Sequence, residues 1–341
     1  MKIGVVGASG YSGGELLRLL GVHPTFELSY IAAGSQAGAM ISEVHPHLTA
    51  WGDRRFEATE ISRMNSCELL FFALPHGESA KLMREVNPSL RVIDLGADFR
   101  LNSASSWESY YGGPHAGTWV YGLPEIAGQR AKISAATKIA NPGCYATAVA
   151  IATAPAIAHG LIDAGDLVVV AASGTTGAGR KASTALLASE IMGSLTSYKF
   201  GGVHQHTPEI EETLSKISAA PVKLSFTPIL APMPRGILAT VTAKLLQPLE
   251  TLAVQEIYRD YYAEESFVTV LLNPALPKTS AVIGSNSIHL QVAVDHHTNR
   301  LVISSALDNL GKGAASQAIQ NANLVCGLPE GSGLSAIGVG A

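Results

Sequence analysis

Residues 3–14 constrain this chain more than any other segment. A short apolar run, Ile3–Val6, passes straight into Gly7-Ala8-Ser9-Gly10-Tyr11-Ser12-Gly13-Gly14, and a helical pattern, Tyr11–Leu20, begins inside that turn. Strand, glycine-rich turn and helix in immediate succession form the opening unit of a dinucleotide-binding fold. The glycines permit a tight turn, close approach of backbone to a pyrophosphate, and close packing of helix on strand. The spacing is GxxGxxG rather than GxGxxG, so the strand–turn–helix context carries the reading. The coenzyme contacts expected from it are Gly7, Ser9, Gly10, Tyr11, Ser12 and Gly13. NAD-binding chains usually end their second strand in an acidic residue that holds the ribose hydroxyls. Here that strand, Leu28–Ala33, ends in Gly34-Ser35-Gln36 without a carboxylate. Ser35 can hydrogen-bond a 2′-phosphate that a carboxylate would repel, so NADP(H) is the expected coenzyme. Were Ser35 only a loop residue, the choice of coenzyme would stay open.

Through residue 110 apolar runs alternate with helical patterns, the signature of a parallel sheet with crossover helices. Strands are expected at Ile3–Val6, Glu27–Ala32, Glu68–Ala73 and Arg91–Asp94, and helices at Tyr11–Leu20 and Glu78–Val86. A Gly/Pro/aromatic stretch from Tyr110 to Glu125 reads as a functional or inter-domain loop. Beyond residue 144 longer strands appear at Asp166–Ala172, Val222–Ser225, Ile237–Leu245, Phe267–Leu271, Ser287–Val294 and Arg300–Ala306, suited to a mixed or antiparallel sheet. Helices are expected at Ala182–Met192, Glu209–Ile217 and Leu252–Ala263, and a last one, Gly313–Leu324, is expected to return to the first domain. The fold class is therefore α/β. A Rossmann-type parallel-sheet domain of residues 1–143 and 311–341 joins an α+β dehydrogenase-like catalytic and dimerisation domain of residues 144–310. A chain of 341 residues is long enough for two such cores.

Composition narrows the function classes. Hydrophobic residues make up 47% and charged residues 15%, which excludes a disordered chain. The net charge of −4 and the lack of a Lys/Arg run argue against nucleic acid or an anionic membrane as partner. Three cysteines without metal spacing cannot all pair, which favours a reducing compartment. No apolar run reaches transmembrane length without interruption, so a soluble, cytoplasmic protein is expected. Large dehydrogenase-like sheets often pair, so a homo-oligomer, dimer or tetramer, is expected too.

Asn141-Pro142-Gly143-Cys144-Tyr145 leads into an apolar stretch, Ala146–Ala158, that reads as a buried helix. Pro142 and Gly143 break whatever precedes them, so the Cys144 sulfur falls near the first helical turn. Unpaired N–H groups and the positive end of the helix dipole there favour thiolate over thiol. A thiolate at neutral pH attacks acyl groups. With a dinucleotide turn on the same chain, this points to hydride chemistry on a carbonyl held as a thioester. The plainer alternative is a buried, inert Cys. The Cys144 N–H and the Asn141 side chain are candidates to hold a developing oxyanion, with Gly143 against the substrate.

His204-Gln205-His206-Thr207-Pro208-Glu209 carries a helix start, with Thr207 as N-cap, Pro208 at the first helical position and Glu209 in the first turn. Either His204 or His206 is a candidate acid/base partner for Cys144. No further ligand cluster lies nearby, so no metal is expected. Arg100, after the fourth strand, suits a phosphate through its planar fork, or else pairs with Asp94 or Asp98. Arg235, held between Pro234 and Gly236, suits a substrate carboxylate. Ser173-Gly174-Thr175-Thr176-Gly177-Ala178-Gly179-Arg180 is a second anion cradle or a flexible turn. Asn309 either binds a nicotinamide amide or caps the last helix.

In their order along the chain these segments resemble the N-acetyl-gamma-glutamyl-phosphate reductase family of arginine biosynthesis. The resemblance runs from Gly7-Ala8-Ser9-Gly10-Tyr11-Ser12-Gly13 to Asp308-Asn309-Leu310-Gly311-Lys312-Gly313-Ala314-Ala315. Its most specific pieces are Asn141–Tyr145, His204–Glu209 and Pro232-Met233-Pro234-Arg235-Gly236. Departures occur at Ala146, where Pro is common, at Gly96, where Ser is usual, and at Gln205, where Arg often separates the histidines. The resemblance implies a Cys144 nucleophile, NADP(H), and reduction of a small acyl phosphate to an aldehyde. It extends the expected coenzyme contacts to Pro75, Ser173, Gly174 and Asn309. Aspartate-semialdehyde dehydrogenase and a lysine-pathway reductase acting on a carrier-bound substrate share this chemistry and are the rival readings. A non-catalytic NADP-binding sensor is the rival outside the enzymes.

Overall fold

Strands β1 (Lys2–Val6), β3 (Leu69–Phe72) and β4 (Arg91–Asp94) are buried almost without a break, as strands covered on both faces must be. The computed structural model, which describes residues 1–340, joins them to β2 (Glu27–Ala32), β5 (Val120–Tyr121) and β6 (Lys138–Ala140). The six form one parallel sheet in the order β2-β1-β3-β4-β6-β5. The chain leaves β1 toward β2 on one side and returns to β3 on the other. Open sheets of this kind bind ligands beyond the carboxyl ends of the strands at such a reversal.

The second sheet holds β7 (Leu167–Ser173), β8 (Thr196–Ser197), β9 (Leu224–Leu230), β10 (Ile237–Lys244), β11 (Val268–Val270), β12 (Ile288–Asp295) and β13 (Arg300–Leu307). Its order is β11-β12-β13-β10-β7-β9-β8, and its pairing is mixed: β7–β9 and β11–β12 run parallel, the others antiparallel. Here burial alternates along β7 and β10, so one face is covered and the other is open. The cover includes the helix Cys144–Ala158, in which alanine stands at every even position from 146 to 158. Small residues spread round all sides make a slim rod, and every residue from Tyr145 to Ile157 is buried. Tyr258 and Tyr262 donate their hydroxyls to the carbonyls of Ala152 and Ile151, fixing the neighbouring helix Thr251–Tyr261 to this rod.

The last helix, Ser316–Val325, places Ala318, Ile319, Ala322 and Val325 in the core of the first sheet. A wide turn, Gly311–Ala315, precedes it, in which Ala315 N–H donates to the Leu310 carbonyl. Gly313 in that turn faces Cys144, so closely that a Cβ there would lie 2.8 Å from the Cys144 Cβ.

Some expected elements differ. Residues 182–192 are not one helix but a turn at Thr184–Leu186 and a short helix, Ala188–Ile191, with Leu187 and Met192 exposed. Without a surface to bury its apolar stripe, a helix of this length has little to hold it. The expected Val222–Ser225 strand is shifted and extended to Leu224–Leu230, and it contains Pro228, whose carbonyl accepts from Tyr198 N–H. The Glu78–Val86 helix is regular only over Glu78–Leu82. Strand β5, two residues long, lies in the Tyr110–Glu125 stretch that reads as a loop, and β8, equally short, lies where no element is expected.

Candidate active site

The glycine turn is built as its sequence demands. Gly7 has φ +85°, and a Cβ there would overlap the Ala73 carbonyl oxygen. At Gly13 a Cβ would come within 2.6 Å of the Ala8 carbonyl oxygen, so only glycine lets the helix sit this close to the turn. A Cβ at Gly10 would meet only the Gly7 carbonyl oxygen, at an ordinary contact distance of 3.7 Å. The helix Tyr11–Leu20 has neither a side-chain cap nor an acidic residue in its first turn, which leaves its leading N–H groups open to an anion. His45, which the sequence did not single out, donates its Nε2–H to the Ala8 carbonyl at 2.9 Å and backs the turn from below. Ser35 lies on an exposed loop after β2, and Pro75 is exposed just beyond β3. A cradle lined by glycine, with bare helix N–H groups and no carboxylate in its first turn, fits a dinucleotide diphosphate.

A second strand–turn–helix unit carries the sulfur. Strand β6 ends at Ala140, Gly143 is the N-cap and Cys144 is the first helical residue. The turn between is held by its backbone. Buried Glu209 accepts the Gly143 N–H at 2.7 Å and the Tyr121 hydroxyl at 2.7 Å on one oxygen. Its other oxygen meets Arg100 Nη1 at 3.3 Å. Arg100 in turn donates Nε–H to the Asn141 carbonyl at 2.8 Å and Nη2–H to the Leu95 carbonyl at 2.7 Å. Burial works against the Arg100 charge, yet the Glu209 carboxylate holds its pKa above the usual range.

Two expectations for these residues need correction. Arg100 pairs with neither Asp94 nor Asp98; its fork holds the turn before Cys144, on the Asn141 and Leu95 carbonyls and on Glu209. Asp94 accepts from Ser79 and Gly96, and Asp98 from the N–H groups of Gly77 and Ala80. The Asn141 side chain donates to the Ala314 carbonyl at 3.1 Å and accepts from Asn321 at 2.9 Å. It fastens β6 to the last helix, so both of its polar atoms are taken up within the fold.

Desolvation disfavours the thiolate here. Burial pushes the Cys144 thiol up to about 11. The Tyr145 N–H and the Arg100 cation pull it down without overcoming that burial. Desolvation therefore outweighs the pull of the helix start.

The two histidines differ in kind. His204 Nδ1 accepts the backbone N–H of His206 at 3.0 Å, so its proton sits on Nε2. The helix is His206–Ser215, not one starting at Pro208. The His204 ring thus does the capping expected of Thr207, whose hydroxyl is buried without a partner. His206 lies directly over Gly143, where a Cβ would overlap its ring, and its Nδ1 is buried and unpartnered. Burial, aided by the Arg100 cation, depresses the His206 pKa well below the usual value, and burial with His206 beside it lowers His204 to about 2. Both rings are therefore neutral at physiological pH. Tyr145 stacks edge-on against both, and its hydroxyl meets that of Tyr198 at 3.0 Å.

Comparison with known proteins agrees with this architecture. The family model for the semialdehyde dehydrogenase NAD binding domain matches residues 2–136, and that for the semialdehyde dehydrogenase dimerisation domain matches residues 144–309. An N-acetyl-gamma-glutamyl-phosphate reductase of Acidothermus cellulolyticus is 53% identical to this chain over 99% of it and 98% of the relative. The chain belongs to the N-acetyl-gamma-glutamyl-phosphate reductase family. Members from Salinispora arenicola and Corynebacterium glutamicum are 53% and 45% identical, each over 99% of both chains. Among solved structures, the aspartate semialdehyde dehydrogenase II of Vibrio cholerae shares the fold, with TM-score 0.71 at 16% identity over 95% of this chain and 98% of its own. That of Candida albicans, solved with NADP, gives 0.68 at 16% identity with the same coverage of both chains.

The remaining residues of this family member are placed as follows. Arg235 is not aimed at a substrate carboxylate: it donates to both oxygens of Glu15, at 3.0 and 2.9 Å, and to both oxygens of Asp308, at 3.0 and 2.5 Å. It thereby ties the glycine-turn helix to the end of β13. Asn309 does not cap the last helix. Its Oδ1 accepts the Gly236 N–H at 2.7 Å, its Nδ2 donates to Thr176 at 3.0 Å, and Asp308 accepts the Leu310 N–H instead. Ser173 is buried, with its hydroxyl on the Gly174 carbonyl, and Gly174 packs against the Pro234–Arg235 backbone. Glu209 was visible in the sequence only as an acid in the first turn of a helix, and nothing near it in the chain marks Gly143 as its partner.

Proposed function

We propose that this chain reduces N-acetyl-glutamyl 5-phosphate to N-acetyl-glutamate 5-semialdehyde, with NADPH as reductant and Cys144 as nucleophile. The observation that carries the reading is the clamped turn Asn141–Cys144, which brings a thiol at a helix start together with a neutral buried imidazole, His206, over the preceding residue. Because the thiol is protonated at rest, attack needs a base. His206 takes the sulfur proton as the S–C bond to the acyl carbon forms. Such positioned proton transfer contributes ~100- to 10,000-fold in rate. The Cys144 and Tyr145 N–H groups face the oxygen on which charge develops. Phosphate departs with the C–O bonding pair, leaving a thioester on Cys144. NADPH, when bound along Gly7–Gly13 and Ser35, supplies the hydride. The protonated His206 returns its proton to the sulfur as the thiohemiacetal oxyanion collapses, releasing aldehyde and restoring the thiol. Arg100 and Glu209 act through the turn, as positioning residues.

The decisive assay runs the reaction backwards. Phosphate-dependent reduction of NADP+ should occur with N-acetylglutamate semialdehyde and not with aspartate semialdehyde. The reverse preference would move the chain to the aspartate-semialdehyde reaction.

The open face of the second sheet, where Val168, Val170 and Leu238 point outward, is the place for a second copy of this chain. The match to a dimerisation domain over residues 144–309 supports that use. Sedimentation equilibrium should find a dimer or tetramer, and Val170→Lys should dissociate it. A wild-type monomer would exclude this use of the face.

A further inference from the structure

The loop after β7 reaches out of its own domain. It is anchored at home by the Thr176 hydroxyl on the Pro234 carbonyl at 2.6 Å and by Gly174 N–H on the Gly236 carbonyl at 2.8 Å. Gly179, with φ +83°, then turns the chain, and Arg180 crosses to the glycine turn. Its Nη1 donates to the Ser9 carbonyl at 3.2 Å and its Nη2 to the Val44 carbonyl at 2.8 Å, 171 and 136 positions away. The guanidinium carbon stands 5.9 Å from the centre of the Tyr11 ring, at the first residue of the turn's helix. A groove of about 170 Å³ lies here, lined by Tyr11, Thr175, Arg180, Lys181 and Ser183 among others.

Arg180 is exposed, and its neighbours among the described residues give it no counter-charge. The start of a helix is the positive end of its dipole, and Arg180 sits beside one with no acidic residue in its first turn. The nearest acid on that helix, Glu15, is paired with Arg18 and Arg235. Among the described residues Arg180 hydrogen-bonds two carbonyls and no carboxylate. A dinucleotide diphosphate resting on the turn would supply the missing negative charge, and a guanidinium fork matches two phosphate oxygens.

We propose that Arg180 is a coenzyme-binding residue of the catalytic domain, which reaches the diphosphate of the dinucleotide beside the glycine turn that it already contacts. The inference rests on the coenzyme reading of Gly7–Gly13 and adds a contact from the other domain.

Titration of coenzyme fluorescence tests this without turnover. Arg180→Ala should weaken NADPH and NADH by a similar factor, ~10- to 100-fold, because both carry the diphosphate. It should also flatten the dependence of affinity on salt. Arg180→Lys should keep part of the affinity, and serves as the test variant if Arg180→Ala lowers the unfolding midpoint of the coenzyme-free protein. Unchanged affinity in Arg180→Ala overturns the proposal. So does a loss confined to NADPH, which would put the contact at the 2′-phosphate. Wild-type protein that binds neither coenzyme would instead sink the coenzyme reading beneath it.

Discussion

Two strand–turn–helix units stand at the carboxyl ends of the first sheet, one after β1 and one after β6, and they use the same local grammar for different ends. The turn at Gly7–Gly13 is lined with glycine, has bare N–H groups and opens outward. The turn at Asn141–Gly143 is packed from behind by Glu209 and Arg100, with His206 over it and Gly313 against its cysteine. Both helices offer the positive end of a dipole. In the open turn that potential remains available to an anion. In the buried turn it is outweighed by desolvation, and the thiol rises to about 11. A helix start is thus an opportunity whose use depends on what packs around it.

The largest test of this contrast is Cys144→Ser. It should lower turnover by on the order of 10,000-fold or more, while NADPH titrates with wild-type affinity because the coenzyme turn is a separate unit. Retained turnover, measured as aldehyde-dependent NADP+ reduction, would dismiss the thioester route.

Glu209→Gln should come next. It preserves an acceptor for the Gly143 N–H but leaves the Arg100 cation buried without its counter-charge. Removing one partner of such a pair costs about 3–5 kcal/mol, readable as a lower urea midpoint. The rate constant for thioester formation should fall as well, with little change in coenzyme affinity. A variant of wild-type stability and rate would show that the clamp does not hold the turn.

The mildest test asks whether burial or dipole governs the sulfur. Alkylation of Cys144 in the free protein should rise about tenfold per pH unit from pH 7 upward, because reaction follows the thiolate fraction, and should level off only near pH 11. A plateau at or below pH 7 would mean that the helix start and Arg100 prevail over desolvation.

How much of this was readable depended on distance along the chain. Gly7 and Gly13 could be assigned from sequence because the atoms that forbid a side chain at Gly13 belong to its own turn, and because positive φ is a local demand. Pro142-Gly143 before an apolar run was enough to place Cys144 at a helix start. Arg235 could not be read, since a guanidinium between proline and glycine looks the same whether its partner is a substrate or Glu15, 220 positions away. Arg100 and Glu209 are 109 positions apart, and Glu209 and Gly143 are 66 apart. No local pattern records either meeting. The helix expected at residues 182–192 failed for the same reason, because the surface it needed to bury against is missing from its tertiary surroundings.

By itself, then, the sequence determined the parallel dinucleotide domain, the place of Cys144 at a helix start and the chemistry class, through periodicity, glycine geometry and helix breaks acting over a few residues. Only the tertiary structure decided that burial raises the Cys144 thiol, that His204 caps while His206 packs over Gly143, and that Arg100 and Arg235 meet acidic partners from far along the chain. Desolvation and ion pairing sum over groups that the fold brings together from distant parts of the chain, so they exist only once it has folded.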